Sequence, residues 1–235
     1  MVCVYSKIFL CFWGQLGFQD SFSNLGFELV FFHDHAMFVL VLVSSFVGYM
    51  MVCLLKSNLS SRFLVEAQAL EGAWTVIPGF LLLFLAIPSV RLLYLLDEVG
   101  GPVVSMKAIG HQWYWSYEYS DSSELVSFDS YMMNVSDVEN GGYRLLEVDN
   151  RCVVPYGVDN RILVSSADVI HAWALPSIGV KVDAIPGRIN QLGVHLMSSG
   201  VMFGQCSEIC GVNHSFMPIG LESVSPEVFY CWLMH

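Results

Sequence analysis

The sequence predicts a two-helix transmembrane hairpin followed by an all-β domain outside the membrane. Two long, nearly uncharged apolar runs fall within the first 96 residues. Each is close to the twenty or so helical residues that cross about 30 Å of hydrocarbon. Beyond Gly100-Gly101-Pro102 the pattern changes to short aromatic and β-branched runs punctuated by Gly, Pro, Asn and Asp, the signature of short strands. Charge divides at the same boundary: residues 97–235 hold 16 acids against 6 Lys and Arg, nearly all of the net charge of −11.

Residues 1–35 form an N-terminal segment outside the membrane. Its short apolar stretch at 8–13 follows one Lys and precedes no small-residue cleavage pattern, so it does not read as a signal peptide. The hairpin covers 36–96. Its first span, 36–55, has no charge and ends at Lys56. Its second, 72–96, is uncharged up to Arg91, which can snorkel to the interface. Pro78 and Pro88 lie inside it, where a membrane helix tolerates them. Two buried helices of a soluble core are the alternative. A hairpin puts both termini on one side. The link holds Lys56 and Arg62, so the positive-inside bias sets the link inside and the acidic domain outside.

The β domain spans 97–235. Residues 106–119 read as one strand with His111, Trp113, Trp115, Tyr117 and Tyr119 on one parity. Further strands are expected at 143–148, 161–165, 180–183 and 201–205, which suits a β-sandwich or barrel. Hydrophobic residues are 55% of the 235 and charged residues 13%, about half the charged share of a soluble domain. The acidic excess excludes nucleic acid as a partner. It suits a basic protein met by electrostatic steering, or solubility alone.

Of seven cysteines, Cys3, Cys11, Cys53, Cys152 and Cys231 are scattered and read as small hydrophobes. Cys206 and Cys210 differ, since His214 and Met217 follow within twelve residues. Thiolate and thioether favour copper(I), and imidazole serves either oxidation state. Zinc competes, although a structural zinc site has no use for Met. A catalytic Cys would leave the second thiol unexplained. A mononuclear blue-copper site takes one Cys and two His; this loop has one thiol too many and one imidazole too few. Two bridged coppers would need a second His from elsewhere, and His171, after a strand-like run, is the candidate. His111 and His195 read as hydrogen-bonded structural histidines.

The run from Cys206-Ser207-Glu208-Ile209-Cys210 to His214-Ser215-Phe216-Met217-Pro218 resembles the two-copper loop of the cytochrome c oxidase subunit II family. The resemblance extends to Gly110-His111-Gln112-Trp113-Tyr114-Trp115, to Asp168-Val169-Ile170-His171-Ala172-Trp173, and to Asp183-Ala184-Ile185-Pro186-Gly187-Arg188. Phe32-His33-Asp34-His35 and residues 74–98 also look like the family, so nearly the whole chain from about residue 15 is covered.

The resemblance implies a cupredoxin-like β-barrel behind a two-helix anchor, carrying a binuclear copper (CuA) centre. Cys206 and Cys210 would bridge two copper ions; His171 and Met217 would complete one, His214 and the Glu208 carbonyl the other. The Glu208 side chain would help hold magnesium shared with subunit I, a hard oxygen for a hard ion. Trp113 matches the tryptophan through which electrons enter. Glu118, Asp121, Glu124 and Asp168 match acids presented to cytochrome c, and Glu71 the carboxylate at the mouth of a proton path. Subunit I, other oxidase subunits and membrane lipid are the further partners. The implied function is to take electrons from cytochrome c and pass them to haem in subunit I, where oxygen is reduced and protons are pumped. A compact chain with no cleavable signal and no added cytochrome domain is expected in the mitochondrial inner membrane, with its β domain and both termini in the intermembrane space. A quinol oxidase subunit would lack the Cys pair. A copper chaperone would need exposed, exchangeable ligands and no aromatic strand, and a structural zinc module would have no use for Met217.

Overall fold

A computed structural model describes residues 7–9, 14, 16–63, 65–97, 100–120, 125–139 and 141–234. The chain divides into two compact units, residues 29–94 and residues 1–28 with 95–235.

The first of these consists of two helices. α1 (Asn24–Lys56) and α2 (Gln68–Asp97) are 33 and 30 residues long, about 50 and 45 Å at 1.5 Å per residue. In each, only 6% of the most apolar eighteen-residue stretch is buried. A soluble-core helix would be covered, so that alternative fails. Side chains such as Leu54, Phe80 and Leu82 instead face outward all round the helices, the arrangement of a lipid-facing surface. His35 and Phe84 make a ring contact at 4.5 Å between the helices.

α1 begins at Asn24, well before the apolar run, because Ser23 caps it. The Ser23 hydroxyl accepts from the Gly26 N–H at 2.9 Å and donates to the Ile178 carbonyl at 2.7 Å. The main chains also meet: the Phe22 N–H donates to the Ser177 carbonyl at 2.8 Å.

The β unit contains β1 (Lys7–Phe9), β2 (Val104–His111), β3 (Tyr114–Tyr119), β4 (Val126–Ser130), β5 (Cys152–Pro155), β6 (Asp159–Ser166), β7 (His171–Leu175), β8 (Val180–Ala184), β9 (Asn190–His195), β10 (Gly200–Gln205) and β11 (Pro218–Val224), then helix α3 (Pro226–Leu233). The strands form sheets ordered β1-β10-β11-β5, β4-β3-β2-β6-β9 and β7-β8. Among the described residues these are open sheets around a shared core, not one closed barrel. The all-β class and the two preceding apolar helices are as expected.

Alternation explains the core. Met106, Ala108, Ile162 and Val164 point inward from the parallel pair β2–β6, in register Met106↔Ile162 and Ala108↔Val164. Trp115, Tyr117 and Tyr119 do so from β3. Tyr119 also joins two sheets, since its hydroxyl accepts from the Val153 N–H and donates to the Val153 carbonyl, both at 2.9 Å.

Two expectations change. Residues 106–119 are a hairpin, not one strand: β2 and β3 pair antiparallel with His111 opposite Tyr114, leaving Gln112-Trp113 as the turn. Continuous alternation concealed a reversal that lacks the usual Gly or Asn. Of the strand expected at 143–148 only Val148 pairs, in an isolated bridge with Met132; residues 144–146 are a turn, closed by the Leu146 and Glu147 N–H groups on the Tyr143 carbonyl at 3.3 Å each, with Leu145 at φ 70°.

Candidate metal centre

Three pieces of chain bring the ligand-type side chains together. β10 delivers Cys206 just past its end, the loop to β11 carries Cys210, His214 and Met217, and β7 supplies His171 as its first residue. β7 lies against β10 through a glycine. A Cβ at Gly204 would stand 1.9 Å from the Ala174 carbonyl oxygen, so any other residue would push the strands apart. The Ser207 N–H donates to the Ala172 carbonyl at 3.2 Å and fixes the loop's departure.

His171 is fully buried. Its ring occupies the hollow above Gly110, where a Cβ would come within 2.8 Å of the imidazole Cδ2. Its Nε2 faces Asp168 Oδ1 at 2.9 Å, and its Nδ1 faces Cys206 Sγ at 3.9 Å. The carboxylate thus takes one ring nitrogen and leaves the other as the donor. The turn before β7 is held by Ser166, whose hydroxyl donates to the Val169 carbonyl and accepts from the Asp168 N–H at 3.2 Å.

Each thiol sulfur has an imidazole and a weaker donor beside it. Cys206 Sγ lies 3.3 Å from the Glu208 carbonyl oxygen. Cys210 Sγ lies 3.5 Å from His214 Nδ1 and 3.5 Å from Met217 Sδ. The ligand atoms of His171, Cys206 and Cys210 fall within 4.8 Å of one another. Both thiols are buried and free of any disulfide. Two thiols, two imidazoles, a thioether and an inward carbonyl fit a soft metal such as copper.

Ligand groups must shed their protons to take a metal, and their surroundings shift these groups in different directions. Burial opposes ionisation of Cys206, but hydrogen bonds with His171 and with the backbone of Ala172 and Glu208 hold its pKa at about 7. Burial and the neighbouring Cys206 push Cys210 up to about 12. Burial disfavours charge on His171, yet its contacts with Cys206 and Asp168 raise its pKa above the usual histidine value. Asp168 is held below the usual carboxylate range against the pull of burial by hydrogen bonds from His171, Val169 and Gln112.

The other expected site residues are placed as follows. Trp113, half-buried at the β2–β3 turn, donates from Nε1 to the Cys210 carbonyl at 3.3 Å. Gly211, at φ 125°, lies under that ring, where a Cβ would meet Trp113 at 3.1 Å. The Glu208 side chain is exposed although its carbonyl turns inward, and Ile209 and Val212 beside it are 80% and 89% exposed. Glu118 is engaged by Lys107 Nζ at 2.9 Å. Asp168 faces His171 and also accepts from the Gln112 N–H at 2.7 Å. Asp121 and Glu124 lie outside the described residues. Glu71 is in the exposed first turn of α2. His111 pairs with Ser116 Oγ at 3.0 Å and His195 with Asp159 Oδ1 at 2.9 Å.

Sequence reasoning missed Gln112. Its side-chain Nε2 donates to the Cys210 carbonyl at 2.7 Å, across 98 residues of chain, and no local pattern marks such a bond.

A family profile described as "Cytochrome C oxidase subunit II, periplasmic domain" matches residues 104–224, and one described as its transmembrane domain matches 11–92. Cytochrome c oxidase subunit 2 of Drosophila subobscura is 53% identical over 221 residues, 94% of this chain and 96% of the relative. That of Drosophila bifasciata matches equally. The crystal structure of the periplasmic domain of cytochrome oxidase subunit II from Bradyrhizobium japonicum superposes with a TM-score of 0.54 at 45% identity. It covers 58% of this chain and 95% of that one.

Proposed function

The chain belongs to the cytochrome c oxidase subunit II family, and from that premise we propose that it relays single electrons from cytochrome c, through a binuclear copper centre, to haem in subunit I. It is a membrane protein and a component of the haem–copper oxidase, working with other oxidase subunits. The observation that carries the relay is one cluster: two free buried thiols of a single loop within 4.8 Å of an imidazole from a distant strand.

Cys206 and Cys210 would bridge the two metals, with His171 and Met217 completing one and His214 and the Glu208 carbonyl the other. The bound pair supplies one-electron chemistry with the charge shared between two ions. The chain's own residues supply rigidity. Asp168 fixes the His171 tautomer, Gly110 and Gly204 fit the ring and strand closely, and burial keeps water from the sulfurs. Ligands that hardly move let an electron arrive and leave with little rearrangement.

Trp113 is the proposed point of electron arrival. From its indole the route is one hydrogen bond to the Cys210 carbonyl and then covalent bonds to the Cys210 sulfur. Each electron from cytochrome c is matched by one passed on to haem. Oxygen reduction and its coupled proton pumping belong to subunit I. Glu118, Asp121, Glu124 and Asp168 are the proposed docking acids, and the exposed Glu208 carboxylate the ligand to magnesium shared with subunit I. Glu71 is the proposed mouth of a proton path. In this reading residues 1–35 and 97–235 face the intermembrane space and 36–96 anchor the chain in lipid of the mitochondrial inner membrane.

The test is metal analysis and electron paramagnetic resonance of the full chain, purified in detergent and loaded with copper. Two coppers per chain with one unpaired electron shared by both are expected. Zinc retention, a single copper or none would overturn the reading.

A further inference from the structure

We propose that Gln112 is a positioning residue of this centre, a cross-tie that grips both ligand-bearing segments at once. This deepens the copper reading above and rests on it.

Gln112 sits in the two-residue turn between β2 and β3 and is itself exposed. It fills no core space, yet makes two 2.7 Å hydrogen bonds in different directions. Its backbone N–H reaches Asp168 Oδ2, and the other oxygen of that carboxylate holds His171 Nε2 at 2.9 Å. Its side-chain amide reaches the Cys210 carbonyl, which also accepts the longer 3.3 Å bond from Trp113. One residue therefore braces the imidazole from β7 and a bridging thiol from the loop. The fit is close: a Cβ on Gly211 would stand 3.3 Å from the Gln112 amide nitrogen. The side-chain amide is long enough to donate to the Cys210 carbonyl while the backbone serves Asp168.

Two effects follow from the geometry. The N–H dipoles of Gln112 and Trp113 aim their positive ends at the carbonyl of a ligand cysteine. That favours the electron-richer, reduced state and raises the reduction potential. The brace also fixes the peptide between Cys210 and Gly211, and with it the thiol, which slows metal release.

The experiment compares the unsubstituted full chain with Gln112→Leu and Gln112→Glu, each in detergent and loaded with copper. Three quantities are read: the paramagnetic spectrum, the reduction potential at high salt, and the rate of copper loss to a chelator. Gln112→Leu is expected to keep the two-copper spectrum, lower the potential and lose copper about tenfold faster. Gln112→Glu keeps the shape but turns a carboxylate toward a carbonyl it cannot donate to. Its potential should fall further than that of the Leu variant, and high salt screens the contribution of its exposed charge. A role in packing alone predicts the reverse order, with Glu the milder change, and that result overturns the proposal. So does a Leu variant with unchanged potential and copper release. If the unsubstituted chain lacks the two-copper spectrum, the copper reading itself fails, and this is decided before any variant is compared.

Discussion

At the scale of single residues, the centre depends on side chains with two tasks. Asp168, one of the proposed docking acids, also serves His171 and the Gln112 N–H with its two oxygens. Trp113 is both a half-buried aromatic and a hydrogen-bond donor to the carbonyl of a proposed ligand, Cys210. These double roles set what a substitution reports. Trp113→Phe retains a ring and removes the 3.3 Å bond, while the shorter Gln112 bond to the same carbonyl remains. Stopped-flow mixing with reduced cytochrome c should therefore find slower electron arrival in the Trp113→Phe oxidase, with two coppers still bound and the electron still shared. Normal arrival rates would remove Trp113 from the route.

At the scale of elements, the ends of helices and strands decide the placement of the site. Ser225 caps α3, its hydroxyl accepting from the Val228 N–H at 3.4 Å, with Pro226 following and Glu227 in the first turn. Phe229 and Leu233 then face the core, and Trp232 packs edge-on to Tyr119 at 5.2 Å. Thermal unfolding of Ser225→Ala should show a loss of about 1 kcal/mol, with the copper spectrum unaltered, since α3 carries no ligand. Much of this level was legible beforehand. The apolar runs, the strands around 161–165, 180–183 and 201–205, and the soft-ligand loop all have local signatures. What was hidden is long-range. The reversal at Gln112-Trp113 interrupts no alternation. Residues 143–148 have strand-like composition, but turn hydrogen bonds on the Tyr143 carbonyl leave only Val148 to pair. The Ser23 cap was visible as a serine but not as the start of α1, because the apolar run begins twelve residues later. His171 could be nominated by its chemistry, and Asp168 stands three residues before it, but nothing local marks that carboxylate as its partner; Gln112 reaches Asp168 and Cys210 across 56 and 98 residues, which leaves no periodic trace.

At the scale of the whole molecule, the sequence is two materials in one chain. The helices expose apolar side chains on all sides, while the β unit carries almost the entire negative charge. Lys107 pairs with Glu118 and Asp168 also holds His171, so attraction to a basic partner rests on the summed field of the domain and not on these acids alone. Turnover of the intact oxidase with cytochrome c should consequently decline as ionic strength rises through the physiological range. A flat response would count against an acidic docking face.

The hollow above Gly110 also bears on how such a centre can change over evolutionary time. An imidazole fills it so closely that even a methyl group beneath is excluded. Methionine, cysteine or aspartate at position 171 would leave part of that mould empty and present its donor atom from a different height. Exchange of the ligand at this one position is therefore opposed by shape as well as by chemistry. Substitution has more room where side chains of the same loop stand in the open, as at Ser207, Ile209 and Val212.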